Sequence, residues 1–134
     1  MKVALVGAID RYNYGDVLFP IIVEEALKKR ISDIKFDYYG YKRTDLSRFD
    51  VYPTKEIKDI KNDDIDAIIV VGGEVLTSPW SLTYLFLFED YRKANILSKI
   101  KKITREPIFG FWAKMKLGYT QRMPWIFEKK DYPN

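Results

Sequence analysis

The sequence predicts an α/β fold, a twisted parallel sheet flanked by helices. Two short, continuous apolar runs, Val3 to Val6 and Ala67 to Val71, each end in glycine, as buried strands of a parallel sheet do. A segment with helical spacing follows the first run, which is the strand-to-helix order of α/β proteins. Because parallel strands present their loops at one edge of the sheet, the two glycine-ended strands are expected to form a crevice there.

Length and composition favour one folded domain. The chain has 134 residues, of which 47% are hydrophobic and 31% charged, values of an ordinary globular protein. A chain of this length has room for one core. We therefore expect a single α/β domain over residues 1–134, with 114–134 as an extended or flexible tail.

The absence of cysteine and histidine excludes several classes of site. Disulfides, thiolate metal sites, serine–histidine triads and histidine zinc sites are ruled out, so acid–base chemistry is left to Asp, Glu, Lys and Tyr. The acids from Asp63 to Asp66 offer oxygen ligands, but a solvated turn before a strand is the commoner meaning. We predict no metal site and no cofactor. No apolar run approaches the roughly 20 residues of a membrane span, so a cytoplasmic location is expected.

The first helix and second strand follow the first apolar run. Pro20 is tolerated only near the start of a helix, which predicts a start between Asp16 and Phe19. The aromatic-rich segment Ile34 to Tyr41 predicts the second strand. Two inward faces of the helix are compatible with the spacing, one with Leu18, Ile22 and Ala26, the other with Val17, Ile21 and Leu27.

The remaining elements are a loop, a short helical segment, a long helix and a last strand. Lys42 to Pro53 is polar and predicts a loop, and Lys55 to Ile60 predicts one or two helical turns. The spacing predicts a helix over Ser81 to Ile103 and, after Pro107, a fourth strand over Ile108 to Ala113. The apolar residues of that helix favour burial in the core, with a homodimer contact as the second interpretation.

Charge is unevenly distributed along the chain. Residues 1–91 carry 12 basic and 16 acidic side chains, a net charge of −4, whereas residues 92–134 carry 11 and 3, a net charge of +8. A basic end attracts nucleic acid, anionic lipid or an anionic substrate, although a solvated helix face is the commoner meaning. Nucleic acid is disfavoured because no recognised motif is present, whereas peripheral membrane contact stays open.

The candidate site residues lie after the two glycine-ended strands. Asn13, Tyr14, Gly15 and Asp16 precede the first helix, whose amino end favours an anion, and Arg11 is a local cation. Gly15 would let the backbone turn tightly or approach a ligand. Asn13 and Asp16 would either bind that ligand or cap the helix, and capping is the first interpretation for Asp16. Gly72, Gly73 and Glu74 follow the later strand. The spacings of dinucleotide and P-loop phosphate sites are absent from the sequence.

Two segments together resemble one known family. Residues 13–20, Asn-Tyr-Gly-Asp-Val-Leu-Phe-Pro, resemble the N-x-G-D-x-L-x-P opening of polysaccharide pyruvyl transferases. Residues 66–73, Asp-Ala-Ile-Ile-Val-Val-Gly-Gly, resemble the later D-x-hydrophobic-G-G strand of the same family, although Glu74 stands where relatives often have a third glycine. The resemblance covers one half of a two-lobed fold. It implies a Rossmann-like sheet, similar to one lobe of a GT-B-type glycosyltransferase.

The resemblance also implies an activity. Members transfer a pyruvyl group from phosphoenolpyruvate to a sugar of a cell-surface polysaccharide precursor. By this resemblance Asp16 and Glu74 are the catalytic candidates, and the ligand-binding candidates are Arg11, Asn13, Tyr14, Gly15, Gly72 and Gly73. The missing second lobe implies part of a larger or split enzyme, with a separate second-lobe partner. The alternative is a noncatalytic module that binds a sugar or phosphate ligand.

Overall fold

A computed structural model describes residues 1–11, 13–73, 77–88 and 90–128 of the chain. The chain forms two compact units, one of residues 1–75 with 127–134 and the other of residues 76–126. The first unit holds the sheet, and the second is helical in its described residues.

The first unit is built on a parallel sheet of four strands in the order β3-β2-β1-β4. The strands are β1 (Lys2–Val6), β2 (Lys35–Gly40), β3 (Lys55–Glu56) and β4 (Ala67–Val70). Helix α1 (Tyr14–Lys28) connects β1 to β2, and short 3-10 turns cover Ser47–Phe49 and Ile57–Asn62. Within the described residues, β4 is bonded to β1 on one side and to no strand on the other. The predicted α/β fold, a Rossmann-like parallel sheet flanked by helices, is confirmed.

One face of the sheet packs against α1. Val3 and Leu5 of the central strand β1 are buried, and with Tyr38 of β2 they form a cluster against which Val23 of α1 packs. Alternate residues of a strand point to opposite faces, so this row is the α1-facing side of the sheet. Its burial supplies the apolar core of the first unit.

The opposite face carries a network of ion pairs around β2. The Asp37 carboxylate lies 3.0 Å from the Lys2 ammonium and 2.9 Å from that of Lys55, which also lies 3.0 Å from Asp63. Tyr39 donates its hydroxyl to Asp63 at 2.5 Å. Burial raises the pKa of Asp37, but hydrogen bonds from the two lysines outweigh it and hold that pKa below its usual range.

Helix α1 starts earlier than predicted and presents one of its two predicted faces to the core. It begins at Tyr14, because the side chain of Asn13 caps it, and Pro20 therefore lies inside the helix. Val17 is buried while Leu18 and Ile22 are exposed, so of the two faces left open by the sequence the one with Val17 faces inward. The strands predicted over Ile34 to Tyr41 and Ala67 to Val71 correspond to β2 and β4. Strand β3 was missed, because a two-residue strand leaves no periodicity.

The second unit replaces one predicted helix and one predicted strand by two helices. They are α2 (Trp80–Phe86) and α3 (Tyr91–Leu117). Asp90 caps α3 by accepting bonds from the backbone of Arg92 and Lys93, which divides the helix predicted over Ser81 to Ile103. Pro107 follows a break at Arg105, where φ is 62° and ψ is 162°. It therefore lies in the first turn of a new helical segment, so the strand predicted over Ile108 to Ala113 is wrong.

Aromatic and polar contacts hold the second unit together. The Trp80 ring stacks on that of Tyr119 at 5.5 Å, and its indole N–H donates to the backbone oxygen of Arg122 at 3.2 Å. Ser81 of α2 donates to Glu106 of α3 at 2.6 Å. Residues 114–117, assigned from sequence to the tail, are helical. The division into one domain and a tail stays a prediction.

The predicted burial of the isoleucines Ile96, Ile100 and Ile103 is wrong, because all three are exposed along α3.

Over the described part of the chain, no helix combines the length and the apolar character needed to cross a membrane.

Candidate functional site

The ends of β1 and β4 meet at the carboxyl edge of the sheet. Val71 donates its backbone N–H to the oxygen of Val6 at 2.8 Å, which extends the pairing of the two strands. A Cβ on Gly7 would lie 2.4 Å from the backbone oxygen of Val71, closer than any side chain tolerates. Glycine at position 7 is therefore required for the two strand ends to come this close. The prediction that both glycine-ended strands share one edge is confirmed.

The glycines after β4 lie at this edge too. Gly72 is partly buried with a φ of 139°, and Gly73 is exposed with open space where a Cβ would stand. Glu74, the second catalytic candidate, lies outside the described residues. The open space beside Gly73 leaves room for a larger group or a ligand.

The first turn of α1 is fixed by Asn13. Its Oδ1 accepts the backbone N–H of Gly15 at 3.3 Å, and its Nδ2 donates to Oδ2 of Asp16 at 2.8 Å. Asn13 is thus the helix cap, and the interpretation of Asp16 as the cap was wrong. Asp16 instead orients the cap residue, and its carboxylate stands in the first turn, the position that the helix dipole favours for negative charge.

Gly15 has no structural need to be glycine. It lies within α1, and a Cβ there would be 3.7 Å from Oδ1 of Asn13, an ordinary contact. The expectation that Gly15 allows a tight turn is therefore not supported by its geometry. What remains is the second expectation, the close approach of a ligand to the backbone. Tyr14 beside it is exposed.

Asp10 is a buried acid at the same edge that the sequence analysis missed. It is 7% exposed, and its Oδ2 accepts the backbone N–H of Lys42 at 2.9 Å. Thr44 donates its hydroxyl to the backbone oxygen of Asp10, also at 2.9 Å. A Cβ on Gly40 would lie 2.5 Å from the Cβ of Asp10, so Gly40 provides the space that this side chain fills.

Burial raises the pKa of Asp10, and hydrogen bonding by Lys42 and the charge of Arg11 offset this only in part. The sequence signal was the position of an acid at the end of the apolar run that begins with β1. Its contacts show that it ties the loop after β1 to the loop after β2.

Cationic residues follow strands β1 and β2. Arg11 is half-buried behind β1, and Lys42 and Arg43 follow β2. Arg43 pairs with Asp59 at 2.8 Å. The carboxyl edge of the sheet therefore combines the amino end of α1 and cations, which favour an anionic ligand, with the acids Asp10 and Asp16, which can serve acid–base chemistry.

A separate cavity of about 540 Å³ lies beside β2 and β3. Its wall includes Tyr38 and Tyr52, whose rings stack with centroids 4.5 Å apart, together with Arg43, Asp45 and Lys55. No residue predicted from the sequence for the site lines this cavity. Arg43, which follows β2 at the carboxyl edge, is shared between that edge and the cavity wall.

A family model provides the comparison with known proteins. The model for polysaccharide pyruvyl transferase matches residues 13–109, which begin at the cap residue of α1 and include β4 and its glycines. No curated protein and no solved structure matches the chain significantly. Because the family model covers well over half of the sequence, this chain belongs to the polysaccharide pyruvyl transferase family.

Proposed function

We propose that this chain takes part in the transfer of a pyruvyl group from phosphoenolpyruvate to a sugar of a cell-surface polysaccharide precursor. The observation that carries the proposal is the contact of Gly7 with Val71. This contact places the glycines after β4 at the sheet edge where the loop between β1 and α1 also lies. The two segments that resemble the family therefore belong to one edge of one sheet.

The donor is a small, highly charged anion, and the proposed donor site matches that charge. The amino end of α1 presents backbone N–H groups and the positive end of a dipole. Asn13 caps this turn, Gly15 leaves its backbone accessible, and Tyr14 stands exposed beside it. Arg11 supplies a cation. We assign these residues, with Gly72 and Gly73, to binding of the donor's phosphate and carboxylate.

The reaction needs a proton donor and a proton acceptor. A proton must add to the terminal enol carbon, an acceptor hydroxyl oxygen must bond to the neighbouring carbon, and phosphate must leave from that same carbon as a second hydroxyl closes the ketal. General acid–base groups assist each transfer. We assign Asp16 and Glu74 to these roles. A second lobe, in the same or another polypeptide, is part of the proposal as the source of the remaining acceptor contacts.

Calorimetric titration of phosphoenolpyruvate into the purified chain tests the donor site. We expect binding by the wild type, and weakening of about tenfold or more in Asp16→Ala, which loses the partner that orients Asn13. Gly15→Ala is the sharper variant, because its added methyl fits the fold but blocks approach to the backbone. Asp64→Ala, which removes an exposed acid elsewhere in the first unit, is the control and should bind like the wild type.

The outcomes separate the two functions that the sequence left open. Release of inorganic phosphate that depends on an acceptor sugar supports the transferase. Donor binding without phosphate release, even with a second-lobe protein added, supports the noncatalytic binding module instead. Equal binding by the wild type and Gly15→Ala would remove the first turn of α1 from the donor site.

A further inference from the structure

We propose that α3 docks the second unit on an anionic lipid bilayer, lying flat in the headgroup region through an outer face. The outer face comprises Ile96, Ile100, Ile103, Ile108, Phe111 and Met115, all of them exposed. The proposal uses no residue of the sheet edge and holds whether or not the chain transfers a pyruvyl group.

The part of α3 before Arg105 forms a stripe. Ile96, Ile100 and Ile103 are spaced by four and three residues, which places them on one side of a helix, and Ile103 is 82% exposed. Ala94 and Leu97, on other sides of the helix, are partly buried. The most apolar side of this segment therefore faces away from the rest of the second unit.

The part of α3 after Arg105 repeats this arrangement. The second stripe consists of Ile108, Phe111 and Met115, which are spaced by three and four residues and so share one side of the helix. Phe111 is 68% exposed. The inward side is formed by Phe109 and Ala113, which are buried. Each half of α3 thus fills its inward side and still leaves an apolar stripe outside, which burial within the second unit does not explain.

Cations border both stripes. Helical spacing sets Lys93 and Lys99 on the two sides of the first stripe, and Lys114 and Lys116 on the two sides of the second. Residues 91–117 contain eight basic side chains against one acidic, a net charge of +7. An apolar stripe between rows of lysine is the composition of helices that lie in the interface of anionic membranes.

The charge and the side-chain types decide between three kinds of partner. A second copy of the chain would bring an equal charge of +7 against the first, which opposes pairing of two outer faces. Nucleic acid would use the lysines, but five of the six outer-face residues have no ring on which bases stack, and Phe111 alone does not form a stacking surface for successive bases. An anionic bilayer accepts both features at once, because its headgroups pair with the lysines and its acyl chains take the isoleucines.

Binding of the full chain to large unilamellar vesicles tests the proposal. We expect co-sedimentation with vesicles of phosphatidylcholine containing phosphatidylglycerol, and little with phosphatidylcholine alone. The double variant Ile103→Asp with Phe111→Asp should lower the partition coefficient about tenfold or more, through lost burial and added negative charge. Lys99→Gln should lower it about fivefold. Ile22→Asp, which alters an exposed isoleucine of α1, is the matched control and should bind like the wild type.

Three results would overturn the proposal. The first is an absence of binding to either vesicle type. The second is binding that salt abolishes but that the double variant leaves unchanged, since this describes a charge contact without insertion of the apolar stripes. The third is self-association on size-exclusion chromatography that the double variant abolishes while vesicles bind nothing, which would assign the outer face to a second copy.

Discussion

At the scale of single residues, the tight contact between Gly7 after β1 and Val71 after β4 leads to a prediction about stability. The atom that a Cβ on Gly7 would meet belongs to the backbone, so no side-chain rotation relieves the clash. We expect Gly7→Ala to lower the free energy of unfolding by about 2 kcal/mol or more, as overpacking of a closed core does. Urea unfolding of the purified variant measures the change.

Gly73→Ala is the matched comparison. A Cβ at position 73 meets nothing within 4 Å. We therefore expect this variant to unfold within about 0.5 kcal/mol of the wild type, as surface substitutions usually do. Equal losses at positions 7 and 73 would contradict the assignment of a steric role to Gly7 alone.

Asp10 makes a prediction about pH. Because burial raises its pKa in the folded state above the unfolded value, the folded protein holds this proton more tightly. Its contribution to stability is therefore fully present below about pH 4 and is lost as pH rises through the raised pKa. Asp10→Asn cannot titrate at this position. We expect the stability of the wild type relative to this variant to fall between acid and neutral pH, measured by urea unfolding at each pH.

The sequence located most of the candidate site but not the role of each residue. Glycine-ended strands and the segment from Asn13 to Asp16 were recognisable from residue type and order. Asn13 and Asp16 were both candidates for the cap, because both residue types cap helices, and only the geometry assigns the cap to Asn13. Asp10 was missed because its partners, Lys42 and Thr44, are more than 30 residues away along the chain.

At the scale of single elements, the break in α3 stands out. Arg105 has a φ of 62° and a ψ of 162°, a backbone region that only glycine occupies without strain. We expect Arg105→Gly to raise the free energy of unfolding by about 1 kcal/mol. Lys102→Gly, at a regular position of the same helix, should lower it by about the same amount. Thermal unfolding of both variants measures these changes. A loss of stability in both variants would contradict the assignment of backbone strain to Arg105.

The strands and the helices differ in how well the sequence predicts them. Strands β1 and β4 lie in continuous apolar runs and β2 is rich in aromatic residues, and all three were predicted near their observed bounds. The helical unit was predicted poorly, because Pro107 was interpreted as introducing a strand when it lies in the first turn of a helical segment. The run from Ile108 to Ala113 is apolar on both an outward and an inward side, so periodicity could not distinguish a strand from a helix.

For the whole molecule, the expectation of one domain can be tested through the placement of its tryptophans. Trp80, Trp112 and Trp125 all belong to the second unit. Because the chain has no cysteine, Ile22→Cys on α1 takes a single dye that reports on the first unit. If the chain is one cooperative domain, the two signals will follow the same urea transition. Separate midpoints would show that the two units unfold independently.

The open side of β4 has a consequence for handling the protein at high concentration. This strand is made of alanine, isoleucine and valine, each partly exposed, and among the described strands only β1 bonds to it. Unpaired N–H and C=O groups along an apolar strand are a template on which another chain can add a strand, the first step of fibre growth. We expect concentrated solutions to develop thioflavin fluorescence, and Ile68→Lys to delay it.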